Sequence, residues 1–508
     1  MGGPNWFPKP VTVAVTALVL GAVAAGVAAG GVVDGAGNQL PAPERAQTLV
    51  GRGQSALSAG GHEPAGGHEV VTWAAAPADL GALAGFGVPA VPAVPVLRGV
   101  GVARRPDSPA AYRPASYRTV RDIVHTSVGG WSARVRLSNK FGTGPVTFDD
   151  VELAADTPVG DSPAGPSSAD GPGRRLTFGG QRAVTIPPGA EALSDPLPGY
   201  LASGSTLAVS IHVARGGGQV TGHPDSLEDN SLSAPGDYAS FAGDYRGAAS
   251  DYRGGDGEAG SEASWSLGGN WLYLDGILVT VPRSVGTVVA VGDSITDGLE
   301  STPGGNARWP DDLARRLLAR PPGQQLAVAN EGLASNQVTT TGSGLDGGRI
   351  GLSAQARFGP DVLAQPGVTT VILVEGINDI GDGTVTSARQ LIAAYTQLIA
   401  QAHAAGLRIL GGTVTPFGGA GYYSPAKEEI RRQVNAWIRG TRASDARASE
   451  ASASDSSAFD GVVDFDKALR DPADPSRLAP AFDSGDHIHP DDAGYQAMAD
   501  AVDLNQLR

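Results

Sequence analysis

The sequence predicts an α/β protein in two parts, an antiparallel β-sandwich or jelly-roll-like domain followed by a three-layer α/β/α domain on a parallel sheet. Three observations predict it. From Ser284 onward, short apolar runs alternate with helical patterns, the rhythm of βα units. From Val70 to Pro282, short β-rich runs are separated by turn residues. At 508 residues the chain exceeds one ordinary domain, so two folded units plus tails is the expectation from length.

Taken in order, residues 1–34 read as an export segment. Lys9 precedes an uncharged run from Val11 to Val33, rich in Ala, Val and Gly, which ends at Asp34. Ala22-Val23-Ala24 is an A-x-A-like cleavage site within it. The run is also long enough to span a bilayer, so an uncleaved anchor with Lys9 inside is the alternative. Both readings put the working protein outside the cytoplasm, secreted or held at the cell surface. Residues 35–69, rich in Gly, Ala and Pro without a sustained period, read as a linker.

Residues 70–283 carry the strand signals. Ala133-Arg134-Val135-Arg136-Leu137 alternates apolar and polar residues, as do parts of Thr206 to Val213. Arg182–Ile186 and Trp271–Val281 are further β-rich runs. Two polar stretches, Thr157–Gly173 and Asp237–Gly260, read as surface insertions. The second holds the loose echoes Gly236-Asp237-Tyr238, Gly243-Asp244-Tyr245 and Ser250-Asp251-Tyr252, too irregular for a solenoid repeat.

Residues 284–508 supply the alternation. Buried parallel strands are expected at Thr287–Val291, Leu326–Ala329, Thr369–Val374, Leu407–Leu410 and Val462–Phe465. Helices are expected at Asp311–Ala319, Leu352–Leu363, Ser387–Ala405, Ala426–Ile438 and Asp491–Val502. Ser424-Pro425 suits the cap and first position of the fourth. The polar run Thr441–Ser457 interrupts the pattern and reads as a solvated loop.

Composition narrows the function. A formal net charge of −15 argues against nucleic acid or an anionic membrane as the main partner. The absence of cysteine excludes disulfides, thiolate metal sites and a cysteine nucleophile.

Four short runs carry the chemistry. Gly292-Asp293-Ser294 follows the first expected parallel strand, Asn330-Glu331-Gly332 the second and Gly376-Ile377-Asn378-Asp379 the third. Asp486-His487-Ile488-His489-Pro490 lies near the end. Taken singly, each has a plain explanation: a helix cap at Ser294, a turn glycine at Gly332, an Asx turn at Asn378-Asp379. As an ordered set they resemble the four sequence blocks of the SGNH (GDSL-type) hydrolases. That resemblance implies a flavodoxin-like parallel sheet and the hydrolysis of carboxylic esters.

It also implies roles. Ser294 is the nucleophile, and a neutral histidine suits the task of taking its proton near pH 7. The family spacing Asp-x-x-His selects His489 as that base and Asp486 as the carboxylate orienting it, with His487 a neighbouring loop residue. The oxyanion donors implied are the backbone N–H groups of Ser294 and Gly332 and the side-chain amide of Asn378. No cofactor or metal is expected; a cluster of Asp486, His487, His489 and Asp491 lacks the spacing of a zinc motif. Ser424-Pro425-Ala426-Lys427 matches S-x-x-K, but a helix start explains it better.

Longer stretches narrow the resemblance. Val374–Gly381, Thr415-Pro416-Phe417-Gly418-Gly419, Asp483–Pro490, and His125–Gly130 with Arg134–Asn139 in the front domain resemble secreted bacterial XynE-like esterases, grouped with a rumen xylan-cluster acyl hydrolase. The substrate expected is a small acyl ester or an acetylated polysaccharide. A lipid hydrolase of the same fold, such as a lysophospholipase, is the alternative; a non-catalytic carbohydrate-binding protein is a third reading. Membrane contact is expected only if the N-terminal segment stays uncleaved, and the sequence does not give the oligomeric state.

Overall fold

In the computed structural model, the apolar runs after Ser284 become five parallel strands: Thr287–Gly292, Ala327–Gly332, Val368–Val374, Arg408–Gly412 and Gly461–Val463. The structure describes residues 57–58, 63–80, 117–158, 167–169, 173–216, 218–242, 265–266, 269–342, 350–440 and 459–508. The expected export segment, most of the linker, most of both insertions and the polar run 441–457 lie outside the described residues.

In space the second strand lies outside the first, giving the order 2-1-3-4-5. This is the flavodoxin-like doubly wound arrangement, whose topological switch falls between the first and third strands. Register brings Gly292 level with Gly332 on one side and Val374 on the other. Three carboxyl-terminal strand ends therefore open onto one crevice.

Helices cover both faces. Ala388–Ala404 buries Leu391, Ala394, Tyr395, Leu398 and Ala402, a stripe of helical period. Pro425–Ile438 opens with Ser424 accepting the Lys427 N–H and with proline at the first position. Two elements differ from expectation. Leu352–Leu363 divides into a short helix, Ala354–Phe358, and a wider turn in which the Ala364 N–H reaches Gly359 O, five residues back. Pro360 accounts for the break, since it has no N–H and its ring crowds the preceding turn. The last strand ends at Val463, because Asp464 accepts the Lys467 N–H and starts the helix Phe465–Leu469.

The N-terminal part is a β-sandwich. One sheet orders Leu57–Ser58, Leu197–Leu201, Gly130–Ser138, Leu274–Val281 and His68–Ala74; the other centres on Arg118–His125, Thr206–Arg215 and Val146–Pro158. Their pairings are antiparallel. Ala133, Val135, Leu137, Ile277 and Val279 from the first sheet share a core with Val120, Val124, Leu207, Val209 and Ile211 from the second.

The opposite face of the first sheet meets the α/β part. Val71 and Ala74 enter the α/β core, while Val285 and Ala327 enter the sandwich core. Residues Ser55–Arg508 thus form one compact unit. The Ser127 hydroxyl accepts the Val328 N–H at 3.0 Å, with Thr72 O at 2.7 Å and Val328 O at 3.1 Å as the acceptors its own hydrogen can take. It blocks the outer edge of the parallel sheet, a place where open backbone groups invite wrong pairing. Among the described residues, no helix is long and apolar enough to cross a membrane.

Candidate active site

The first strand ends at Gly292, and one helical turn, Ser294–Asp297, follows at once. Asp293, not Ser294, caps it: its carboxylate accepts the Ile295 N–H at 3.1 Å. Capping therefore does not consume the serine hydroxyl. Ser294 Oγ lies 2.8 Å from His489 Nε2. His489 Nδ1 lies 2.5 Å from Asp486 Oδ2.

The loop bearing the last two residues is shaped by its own hydrogen bonds. Asp486 Oδ1 accepts the Ile488 and His489 N–H groups at 2.9 and 2.8 Å. Asp483 bridges to Pro490, and Asp491 caps the helix Asp492–Ala501. A carboxylate only accepts, so His489 donates from Nδ1 and leaves Nε2 to accept the serine proton. Burial acts to raise the Asp486 pKa. The hydrogen bond and charge of His489 and the two backbone donors overcome it, holding the carboxyl well below its usual range.

His487 takes no part in this series. Its Nδ1 pairs with Asp483 Oδ2 at 2.7 Å, and its backbone sits at φ 69°. Asp483 and Asp486 thus each hold a separate imidazole, and Asp491 is spent on a helix cap. Among the described residues, no group of acidic and histidine side chains is arranged to hold a metal ion.

Gly332 lies beside the Ser294 turn. A Cβ there would fall 2.2 Å from Asp297 N, so only glycine allows this approach. Its N–H donates to Asn330 Oδ1 at 2.9 Å, while Asn330 Nδ2 donates to Thr296 O. Asn378 stands in the helix Ile377–Gly381, which Gly376 opens at φ 116°. Its Nδ2 donates to Asn336 O at 2.9 Å, leaving a second amide hydrogen with no partner among the described residues.

Several supporting residues were not predicted. Asp379 accepts the Val338 and Thr339 N–H groups, fastening the loop after the second strand. Asp297 accepts the Ala334 N–H and pairs with His223 of the sandwich at 3.1 Å. Arg308 donates to Asp297 O and Ser226 O, linking the same two parts. The one local signal among these was Asp379, adjacent to Asn378. The partners of His223 and Arg308 come from distant sequence.

Burial also tunes the acids beneath the site. It pushes the Asp293 carboxyl up to about 7, against the Ile295 hydrogen bond and the His489 charge. It pushes Glu375 up to about 8, against nearby Arg357. Both Glu375 oxygens are buried without a hydrogen-bond partner, which suits a protonated group better than a carboxylate.

A hydroxyl, an imidazole and a carboxylate joined in series, at the carboxyl edge of a flavodoxin-like parallel sheet, are the arrangement of a serine hydrolase. Residues 288–502 match the family model GDSL-like Lipase/Acylhydrolase. This part of the chain is an SGNH (GDSL-type) hydrolase domain, and the protein is a carboxylic ester hydrolase.

Among solved structures, an aryl esterase of M. smegmatis is 15% identical with a TM-score of 0.31, the match covering 42% of this chain and 95% of that one. A GDSL-like lipase of Bacteroides thetaiotaomicron is 17% identical (TM-score 0.29; 42% and 84% covered). A variant of a Geobacillus acetyl-xylooligosaccharide esterase is 19% identical (TM-score 0.29; 44% and 94% covered). A search of curated proteins finds no match.

Proposed function

We propose that the protein is an exported serine esterase acting on acyl or acetyl esters, including those carried by polysaccharide. Ser294 Oγ bonds to the acyl carbon as its proton passes to His489 Nε2, and Asp486 stabilises the imidazolium. The N–H groups of Ser294 and Gly332 and the Asn378 amide receive the oxyanion. The Gly332 hydrogen turns from Asn330, or is shared with it, as charge develops. Collapse breaks the bond to the leaving alcohol, which takes its proton from His489. Water then repeats the sequence, releasing the acid and restoring the serine.

The observation that carries this reading is the unbroken series from Ser294 Oγ through both nitrogens of His489 to Asp486. Ser294→Ala is expected to lower kcat on p-nitrophenyl acetate by roughly 10⁴-fold or more while the melting temperature holds. Comparable activity in that variant would remove the mechanism. Export is supported by the uncharged run Val11–Val33 and is checked by N-terminal sequencing of the extracellular enzyme. A substrate panel of acetylated xylan, short acyl esters and lysophospholipid separates the esterase from the lipid hydrolase. Faster turnover of lysophospholipid would favour the second.

A further inference from the structure

One guanidinium bonds the ends of the first two parallel strands and, through Asn336, connects to the helix that carries Asn378. Arg357, on the short helix Ala354–Phe358, has a side chain only 1% exposed. Its Nη1 donates to Glu331 O at 2.7 Å, its Nη2 to Gly292 O at 2.9 Å and its Nε to Asn336 Oδ1 at 3.0 Å. We propose that Arg357 is a positioning residue that aligns the oxyanion donors of Ser294, Gly332 and Asn378 through these three hydrogen bonds.

Each bond reaches a donor by a short covalent or hydrogen-bonded path. The carbonyl of Glu331 and the N–H of Gly332 belong to one planar peptide, so gripping the oxygen fixes the direction of the hydrogen. It also polarises that amide, strengthening it as a donor. Gly292 O lies at the strand end from which the Ser294 turn departs, and it also accepts the Leu333 N–H at 3.0 Å. Asn336 links to the third donor, because its own carbonyl accepts Asn378 Nδ2. A planar five-donor fork suits such divergent acceptors; a lysine ammonium at that depth does not reproduce the fork.

The surroundings keep this cation from being drawn away. Its acidic neighbours Asp361 and Glu375 stand 3.8 Å off, beyond hydrogen-bond distance. Asp361 is held by Lys140 of the sandwich at 2.8 Å. Burial pushes Glu375 up to about 8 and also raises the pKa of Glu331, which bonds the Gln365 amide instead. The guanidinium therefore makes its hydrogen bonds to carbonyl oxygens and an amide oxygen, leaving positive charge behind the place where the oxyanion forms.

The inference rests on the oxyanion reading above, and the test separates the two. Arg357→Lys, Asn336→Ala and Arg431→Lys are compared in the full-length enzyme, with Ser294→Ala alongside. Arg431 is a buried arginine elsewhere in the domain that bonds Val414 O, Glu428 and Asp466. Readouts are kcat, KM, melting temperature and the affinity of a boronic acid that forms a tetrahedral adduct on serine. Arg357→Lys is expected to lower kcat by about 10²-fold with KM within about threefold, boronate affinity falling in parallel. Asn336→Ala, which keeps the arginine, is expected to lower kcat by about tenfold in the same pattern and decides the matter should the lysine variant not fold. Arg431→Lys should lower the melting temperature yet leave kcat within about threefold.

A folded Arg357→Lys enzyme with unchanged kcat, a loss without any change in boronate affinity, or an equal loss in Arg431→Lys overturns the inference. Should Ser294→Ala stay active, it is the serine mechanism that fails instead.

Discussion

The sandwich and the α/β part both bury charge, but they place it differently. In the α/β part, buried acids gather below the strand ends: Asp293, Glu331, Glu375 and Asp379 lie within or just beyond the first three strands. In the sandwich, Asp122 serves its own fold, accepting the Leu272 N–H, with burial pushing its pKa well above the usual range. Other ion pairs, such as Arg175 and Arg182 with Asp150, also stay within the sandwich, but further polar contacts cross to its neighbour. Arg136 donates to Gln365, Lys140 pairs with Asp361 and His223 pairs with Asp297. One part presents chemistry from strand ends, and the other braces it from the side. The difference predicts where a substitution should strike turnover and where it should strike stability first.

The largest effect should stay within the α/β part. His489→Ala is expected to lower kcat by roughly 10⁴-fold or more, and His487→Ala by less than about tenfold. Steady-state kinetics on one short ester decide it. The reverse order would move the base to His487 and contradict the 2.8 Å contact at His489.

A smaller effect should come from across the boundary. Both nitrogens of His223 meet oxygen atoms, Ala76 O at 2.8 Å and Asp297 Oδ1 at 3.1 Å. His223→Phe leaves Asp297 buried beside the Ser294 turn without that partner. Removing one member of a buried pair typically costs about 3–5 kcal/mol. Urea unfolding should show most of that loss, and kcat should fall by about tenfold as the turn loosens. Unchanged kcat in a clearly destabilised variant would reduce the sandwich to a passive scaffold.

The contrast also explains what the sequence made legible. Ser294, Gly332, Asn378 and the Asp486/His489 pair stand in short runs next to element boundaries, where their resemblance to the family's sequence blocks singles them out as candidates. The parallel strands were legible because burial on both faces leaves continuous apolar runs. The bracing residues were not. Arg357 meets Gly292 across 65 residues and His223 meets Asp297 across 74, and no periodicity marks such a pairing. Likewise, Asn330 is only two residues from Gly332, yet its hold on the Gly332 N–H depends on a side-chain rotamer that spacing does not encode. The break at Pro360 was visible in principle, since proline disfavours the helix interior.

Proton linkage gives a third, still smaller test. Glu375 is pushed up to about 8 in the folded protein by burial, above the ordinary value near 4.3 expected when unfolded. With the folded pKa the higher, the group's stabilising contribution is full below about pH 4 and drains as pH rises through 8. Glu375→Gln removes this titration. The stability difference between variant and parent should therefore shift in the variant's favour by roughly 3–4 kcal/mol from pH 5 to pH 8. Urea midpoints at three pH values suffice, and a constant difference would mean that Glu375 is ionised throughout.

The smallest expected effect tests whether a local signal in the α/β part is structural alone. Ser424 Oγ accepts the Lys427 N–H at 3.3 Å, a long bond for a cap, and Pro425 already presets the first turn. The helix it starts is also held by buried Arg431, Val434, Trp437 and Ile438. Ser424→Ala should therefore cost about 1 kcal/mol or less. Its kcat should not change, because Lys427 Nζ is spent on Gly381 O at 2.6 Å and Tyr422 O at 2.8 Å, and no base is left over for the serine. A drop in kcat without a drop in stability would revive Ser424 and Lys427 as a reactive pair, giving the α/β part a second centre away from its strand ends.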